Sequence, residues 1–599
     1  MVLMTALGIA AMTYANKNKT PGDGGGSDDS SPGLPPAKPL DPSTLRGKRP
    51  VDLLPLERTL ALFEAPNATI TFMDGDPAVA SEWLRRRVAD VVYRNPWLGG
   101  YLAKDSRGRV CLFYDETSDD VDTDIFTSFD LGAIHLTRET KYEDLGFAFA
   151  GHDVVVRCNA DLIGRDQPIF RVAVIPDADL PQSRFALVIS MSHVCGDGYT
   201  FHKIFKMLAT DSTIETMNPT RKHLFVDKVY ELCGPNEAFY VDKISRSPVW
   251  AAFAPRNETV IERKGFFIDE DWVEGQKRSW DRVARAQYAE RKYAANNDNA
   301  NGLASVTEDD GTGDDRIELI ATIDSADNVG PVPKCDNQPR PAPRAANRMQ
   351  RAGRRAQASD FKVSFASHDS AVHLTTNDII TSWFFQTIDA TVGLMPYMLR
   401  NRIPSIKDSD AGNYCITIPY VKKDYGSPMF IQQSRQAGRR VHTETPLPKH
   451  SAENRYGICI DWRGVGLRKG GLLLGPNGEC RQVLHLPCYQ TRDLAFIPKS
   501  FSSIHLFNAG PHGEPACTVI APDHVMRRIM ESGIVKGIIN ESRVSGSEED
   551  AFAEVVQESR EGRRTSGYAS LLDKDADKAL ALERMLSAIS SEEGDDDDD

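Results

Sequence analysis

The chain has ten cysteines but no C-x-x-C pair among them. That absence excludes the usual zinc-finger and thioredoxin-like spacings. Several cysteines sit in apolar contexts instead, such as Cys415 in "NYCITIPY" and Cys459 in "YGICIDW". This suits reduced, buried thiols in a cytoplasmic protein. Long hydrophobic runs are missing too. Val2 to Ala15 is uncharged and mostly apolar, but it is shorter than the about 20 residues a spanning helix needs. Its lysines, Lys17 and Lys19, follow it rather than form a basic leader. Residues 2–15 are therefore a candidate for membrane association or targeting, and no other segment is apolar enough to span a bilayer.

An excess of positive charge is also lacking. The formal net charge is −14. Glu592, Glu593 and Asp595 to Asp599 carry seven of those negative charges, and Asp298, Glu308, Asp309, Asp310, Asp314 and Asp315 carry six. What remains is a near-neutral globule, with no charge to draw a nucleic-acid partner. One basic run stands out: Arg340, Arg344, Arg348, Arg351, Arg354 and Arg355. It reads first as a solvated loop or short helix, and second as an attractor for an anionic ligand or for the acidic segment 308–315. Apolar residues are nearly absent from 17–45, from 297–315 and from the acidic end of the chain. Such segments bury too little surface to offset chain entropy and are expected to be disordered. About 400 residues remain, room for two domains.

Those residues carry readable periodicities. In "DPAVASEWLRRRVADVVYRNPWLGG", Asp76 caps and Pro77 opens a helix. Its apolar stripe is Val79, Trp83, Leu84, Val88, Val91 and Val92, and Pro96 stops it. Upstream, "ERTLALFEAPNATITFMDG" alternates as one or two strands; downstream, "YLAKDSRGRVCLFYD" reads as a hairpin turning at Ser106-Arg107-Gly108. "PIFRVAVIP" and "FALVISM" are two strands, the second apolar on both faces like a central strand. "GYTFHKIFKML" follows as a helix. A strand running into a helix is expected across 258–280. A further helix is capped by Thr375 or Thr376 and buries Ile379, Ile380, Trp383, Phe384 and Ile388. Trp383, Phe384 and Phe385 read first as core at helical spacing, and second as an acyl-chain pocket. Strands are then expected at "GNYCITIPY", "YGICIDW", "RQVLHLP", "DLAFIP", "SIHLF" and "CTVIAP", and a last helix capped by Asp523. Runs of strands among large helices argue for an α+β, mixed-sheet fold rather than a Rossmann alternation.

Between the central strand and its helix lies "SMSHVCGDG". As a bare pattern, H-x-x-x-D-G is common by chance and reads as a histidine closing a strand before an Asp-Gly turn. Its place sharpens it. At the end of a buried strand, the His193 imidazole can face a cleft while its backbone stays fixed, and histidine is the usual general base near neutral pH. Asp197 precedes Gly198, which permits a tight turn into the helix, and its carboxylate suits a loop-pinning pair with a distant arginine. Cys195 offers a thiol two residues from His193, too close on a tight turn to work as its nucleophile. His202, on the following helix, reads as a cleft wall or a satisfied surface histidine; His505 and His512 have no evident role.

The stretch "PIFRVAVIPDADLPQSRFALVISMSHVCGDGYTFHKIFKML" resembles the motif region of the CoA-dependent acyltransferase superfamily. That superfamily joins chloramphenicol acetyltransferase, BAHD acyltransferases, wax ester synthases and condensation domains. Four more blocks resemble it in the same order: "WLRRRVADVVYRNPWLGGYL", "IERKGFFIDEDWVEGQKR", "LTTNDIITSWFFQ" and "MLRNRIPSIKDSDAGNY". The blocks span about residues 50 to 530.

The resemblance implies two chloramphenicol-acetyltransferase-like domains flanking a central channel. His193 would be the base that deprotonates a hydroxyl or amine acceptor for attack on acyl-CoA, a co-substrate rather than a resident cofactor. No metal and no covalent acyl-enzyme are implied. Asp197 and Gly198 would structure the loop, Asn377 and Ser192 would line the channel, and Gly412 and Asn413 would serve backbone geometry. The expected division is 1–48 as hydrophobic N-terminus and linker, 49–255 as the H-x-x-x-D-G half, 256–365 as a crossover with its low-complexity insertion, 366–540 as the second half, and 541–599 as a charged tail. A monomer acting on a small-molecule acceptor, a lipid or secondary metabolite, follows. Two departures bear on the subfamily. Ser192 stands where wax ester synthases and condensation domains carry a second histidine. The D-F-G-W-G of BAHD enzymes is missing, with "HLFNAGPHGEP" in its place and "DWRGVG" at 461–466 as a lookalike. Rival readings are a condensation-type enzyme using carrier-protein thioesters and a non-catalytic binding member of the fold.

Overall fold

The computed structural model describes residues 34–246, 261–285, 373–488 and 501–540, apart from 60–61, 63–65, 117–122, 150, 159–160, 452 and 466–469. Strand β1 (Arg49–Asp52) joins the hairpin of β3 (Tyr101–Lys104) and β4 (Val110–Tyr114) in a small sheet ordered β1-β4-β3. The hairpin turns where the sequence places it, with Gly108 at φ +75°, a conformation that costs glycine little.

A six-stranded sheet takes β2 (Asn67–Asp74), β5 (Phe126–Ser128), β6 (Phe170–Pro176) and β7 (Arg184–Met191) from the first half of the chain. It takes β12 (Leu473–Leu474) and β13 (Cys480–Pro487) from the second, in the order β12-β13-β2-β7-β6-β5. A seven-stranded sheet is built from β8 (Ile261–Ile268), β9 (Val392–Met398), β10 (Cys415–Tyr420), β11 (Tyr456–Asp461), β14 (Phe501–Asn508), β15 (Pro515–Pro522) and β16 (Val535–Ile538), ordered β10-β9-β11-β14-β15-β8-β16. Both sheets are mixed: β5 runs parallel to β6, and β11 runs parallel to β9 and β14. The described residues up to Gly275 and from Leu374 pack as one unit. The expected mixed-sheet fold is thus present, and each sheet borrows strands across the divisions drawn at 256 and 366.

Strand β7 lies between β2 and β6, and its apolar run is buried on both faces. Phe185, Leu187, Ile189 and Met191 enter the core with helices α1 (Pro77–Arg94) and α2 (Gly198–Met207). Ala186 and Val188 enter a second core with Leu484, Leu486 and Phe507 from β13 and β14. Each fully buried aliphatic side chain contributes roughly 1.5–3 kcal/mol, so the strand that ends at Met191 is firmly seated. Helix α1 is capped as expected, Asp76 accepting from Ala78 N at 2.8 Å. Ala80, Leu84, Val88, Val91 and Val92 form its buried stripe, while Val79 and Trp83 stay half-buried. Helix α3 (Thr376–Thr387) has Thr375 as its cap, in a reciprocal box with Asp378, and buries Phe384 and Phe385 completely.

Several expectations need correcting. Of the polar segment 17–45, residues 34–45 are described, and they are ordered. The one buried apolar side chain among them is Ala37, and their backbone is captured: Arg157 Nη1 donates to the Pro35 carbonyl at 2.6 Å and Leu40 N donates to Gly164. The stretch Leu56–Arg58 is a 3-10 turn, not a strand, because the buried Glu57 holds Leu54 N there. The last helix, α4 (Asp523–Met530), begins at Asp523 rather than being capped by it. Strand β9 interrupts its own pattern with Gly393 and Pro396. A Cβ on Gly393 would stand 2.4 Å from the Phe385 ring, and Pro396, in register with Thr417 of β10, lies beyond the three residues that pair with β11. The expected strand "DLAFIP", residues 2–15, the arginine run, the 297–315 segment and the tail 541–599 lie outside the described residues. Among the described residues, no helix is long and apolar enough to cross a membrane.

Candidate active site

His193 follows β7 by two residues and is buried with Ser192 and Asp197. Burial pushes the imidazole pKa down to about 4, against weaker upward pulls from its own carbonyl, from Asp197 and from Asn413. The ring is therefore neutral at pH 7, the form a general base requires. Asp197 does not bond to it. Oδ1 accepts from Thr200 N at 3.0 Å and Thr200 Oγ1 at 3.1 Å, capping α2. Oδ2 accepts from Arg400 Nη1 at 2.5 Å, Tyr414 N at 3.1 Å and Cys415 Sγ at 3.3 Å. Burial alone would raise this carboxyl, but Arg400 and the amide bonds outweigh it and hold the pKa below the usual carboxylate range. The distant arginine that the sequence left unnamed is thus Arg400. Its guanidinium also donates to the Gly412 carbonyl at 2.8 Å and lies over the Tyr199 and Tyr414 rings.

Four successive loop carbonyls are held by side chains from outside the loop. Asn413 Nδ2 donates to the His193 carbonyl at 2.8 Å and the Val194 carbonyl at 3.4 Å. Arg221 Nη2 donates to the Cys195 carbonyl at 3.0 Å, and Asn67 Nδ2 to the Gly196 carbonyl at 2.8 Å. Arg221 is paired in turn with Glu57, Nε to Oε2 at 2.8 Å, both side chains fully buried. Gly412 brings its segment in at φ +138°, a conformation that side-chain-bearing residues rarely adopt, with the Arg221 guanidinium 3.1 Å from where a Cβ would sit. Of this second brace only Gly412 and Asn413 have a sequence signal. Glu57, Arg221 and Asn67 are lone polar residues whose partners lie far along the chain.

Gly198 opens α2 against Trp462, whose Nε1 would lie 2.6 Å from an added Cβ. Trp462 belongs to the "DWRGVG" stretch just after β11. Around it gather three buried histidines: His202 at 4.6 Å and His505 at 4.0 Å between ring centroids, and His485 6.4 Å from His202. His202 is buried, not a surface residue as one reading allowed. Its Nδ1 meets the Gly198 carbonyl at 2.8 Å, so that nitrogen carries the proton. His485 Nδ1 meets Thr71 Oγ1 at 2.8 Å. Burial lowers all three pKa values, to about 4 for His202 and about 3 for His485. Among the described residues no group of three His, Cys, Asp or Glu is arranged to hold a metal ion.

The remaining sequence candidates lie as follows. Cys195 is buried, and desolvation lifts its thiol to about 12, so it stays protonated. Ser192 is fixed through its backbone, N to the Ile169 carbonyl and carbonyl to Cys195 N. Asn377 bonds within α3, accepting from Thr381 Oγ1 at 3.0 Å, and touches Met395 of β9; it is not among the groups that hold the His193 loop. Surface concavities of about 460 and 620 Å³ lie beside Arg109 and beside Trp83 of α1, and His193 lines neither.

No protein-family model and no curated protein sequence matches the chain. Solved structures do. F. sporotrichioides TRI101 complexed with coenzyme A and T-2 matches at TM-score 0.44 and 10% identity, covering 82% of this chain and 99% of its own. Vinorine synthase matches at TM-score 0.42 and 12% identity, covering 84% and 98%. The first condensation domain of the CDA synthetase matches at TM-score 0.43 and 9% identity, covering 82% and 98%.

Proposed function

We propose that this chain is an acyl-CoA-dependent acyltransferase that moves an acyl group onto a hydroxyl or amine of a small molecule. The observation that carries the reading is the buried, neutral imidazole of His193, set at the end of a central strand on a loop pinned at every carbonyl. His193 takes the proton of the acceptor as it attacks the thioester carbonyl. The tetrahedral intermediate then expels the CoA thiolate, which recovers that proton from the imidazolium. A ring that resists protonation before the substrates bind is stabilised as a cation only while the oxyanion forms beside it, so the charge pair exists when it is needed. Cys195, held as a thiol, takes no covalent part. Asp197 and Gly198 keep the loop in place, and Ser192 and Asn377 line the substrate path. The acyl donor is inferred from the five motif blocks that follow the superfamily's order. A channel between the two halves of the chain, with His193 midway, belongs to the same reading, and a lipid acceptor would suit residues 2–15 as an anchor.

The test is a mass-spectrometric screen of purified protein against pools of acyl-CoA and acceptors, with His193→Ala alongside. Acyl transfer that survives unchanged in His193→Ala rules the mechanism out. Transfer from acyl-carrier protein but not from free acyl-CoA assigns the chain to condensation-type chemistry. Ligand binding without turnover by wild type points to a non-catalytic member of the fold.

A further inference from the structure

Two buried ion pairs hold one five-residue stretch between β9 and β10. Arg400 donates to the carbonyls of Asp410, at 3.2 Å, and Gly412, and its partner Asp197 accepts from Tyr414 N. Arg221 Nη1 donates to the carbonyl between those two, that of Ala411, at 2.9 Å, and its partner Glu57 accepts from Asn413 N at 2.9 Å. The two pairs thus alternate along residues 410–414. Both also reach the His193 loop, at opposite ends. Asp197 is the loop's own last residue. Towards the histidine, Arg221 Nη2 donates to the Cys195 carbonyl at 3.0 Å. Glu57 Oε1 accepts at 3.1 Å from Asn413 Nδ2, which also donates to the His193 carbonyl at 2.8 Å. The bonds of Glu57 and Arg221 run mostly to main-chain groups: the amides of Leu54 and Asn413, and the carbonyls of Pro219, Ala411 and Cys195. An apolar pair of the same volume often gives a fold of equal stability, but it would hold none of these groups in a set direction. Direction is what the two charges add.

We propose that Glu57 and Arg221 are positioning residues for His193: the pair fixes the loop backbone at its histidine end, as Asp197 and Arg400 fix it at its aspartate end. The inference rests on His193 being the base. Neither residue touches the reacting atoms. Each acts through the backbone of residues 193–195, Arg221 directly at Cys195 and Glu57 through Asn413, so that the imidazole is carried on a main chain that cannot shift.

The experiment pairs steady-state kinetics with hydrogen exchange of the full chain, read by mass spectrometry on peptides covering β7 and the loop after it. The variants are Arg221→Lys and Glu57→Gln, each assayed well below its melting temperature. Arg221→Lys keeps a charge opposite Glu57, but one ammonium cannot repeat the guanidinium's separate bonds to Glu57, Ala411 and Cys195. Glu57→Gln keeps an oxygen for Asn413 and removes the charge opposite Arg221. In the wild type the loop is expected to exchange as slowly as β7. In the variants its exchange should quicken by about tenfold or more while β7 keeps its protection. Their kcat should fall about a hundredfold, the scale of a small misplacement of a reacting group. KM for acyl-CoA should change by less than about twofold, as for an interaction made only in the transition state. A loop that exchanges freely in the wild type overturns the proposal, and so does a folded Arg221→Lys with unchanged kcat. Variants that lose β7 protection together with the loop also overturn it, because the pair would then hold the fold as a whole. The exchange arm needs no substrate. A wild type that transfers no acyl group sinks the acyltransferase reading, and exchange in the variants then decides alone whether the pair holds the loop.

Discussion

Arg400 and Asp197 are 203 residues apart in the chain and meet at 2.5 Å, with side-chain exposures of 0% and 4%. The pair ties the H-x-x-x-D-G turn, at the start of α2, to the segment that follows β9. Arg400→Met should lower the unfolding free energy by about 3–5 kcal/mol, the scale of stranding one buried charge. Chemical denaturation checks the loss. Arg400→Lys should recover only part of it, because an ammonium cannot repeat the guanidinium's separate bonds to Asp197, Thr200 and Gly412.

The pH dependence of catalysis should report the buried imidazole. With a pKa pushed down to about 4, His193 stays unprotonated well below neutrality. The acid limb of kcat/KM is therefore expected near pH 4, not near the 6.5 of a solvated histidine. A limb at pH 6–7 in the free enzyme would mean that the ring is solvated.

The histidines around Trp462 should make stability fall in mild acid. His202 and His485 have folded pKa values of about 4 and about 3, below the unfolded value of 6.5. The unfolded chain therefore binds the extra protons, and stability is full above pH 6.5 and lost as pH falls through 4. Roughly 3 kcal/mol is at stake for His202 alone, at 1.36 kcal/mol per pKa unit. Melting temperatures between pH 8 and pH 4 test this, and His202→Phe should flatten the curve.

Gly198→Ala places a Cβ 2.6 Å from Trp462 Nε1. Overpacking of this kind typically costs about 1–3 kcal/mol, and Trp462→Leu should relieve part of it. A double-mutant cycle by denaturation gives the coupling; additive losses would show that the two residues do not press on each other.

Cys195→Ala should keep acyl transfer, and the native protein should resist thiol alkylation at Cys195, since a buried thiol lifted to about 12 presents no thiolate. Loss of turnover in a folded Cys195→Ala would reopen a covalent route.

The parts of this protein that can be read locally were legible. His193, Asp197 and Gly198 lie within six residues, between a doubly apolar strand and an amphipathic helix, and neither pattern needs a distant partner to be seen. Arg400, Glu57, Arg221 and Asn67 were not legible. Each is a single polar residue whose role exists only once segments more than a hundred residues apart are folded together. The gathering of His202, His485 and His505 around Trp462 is of the same kind, drawing on one helix, two strands and a loop. Strand β9 was missed for a different reason. Gly393 and Pro396 look like turn residues, yet one serves a close approach to Phe385 and the other sits where β11 makes no demand.

The exchange of strands between the two sheets has a consequence for how the chain comes apart. A single cut anywhere between 286 and 372 leaves β8 on the first fragment, although its neighbours β15 and β16 are on the second. It leaves β12 and β13 on the second fragment, although β13 covers the edge of β2. Each piece alone would bare rows of backbone donors and acceptors that invite aggregation. Together they interlock, so a nicked molecule should migrate as one species until denaturant is added.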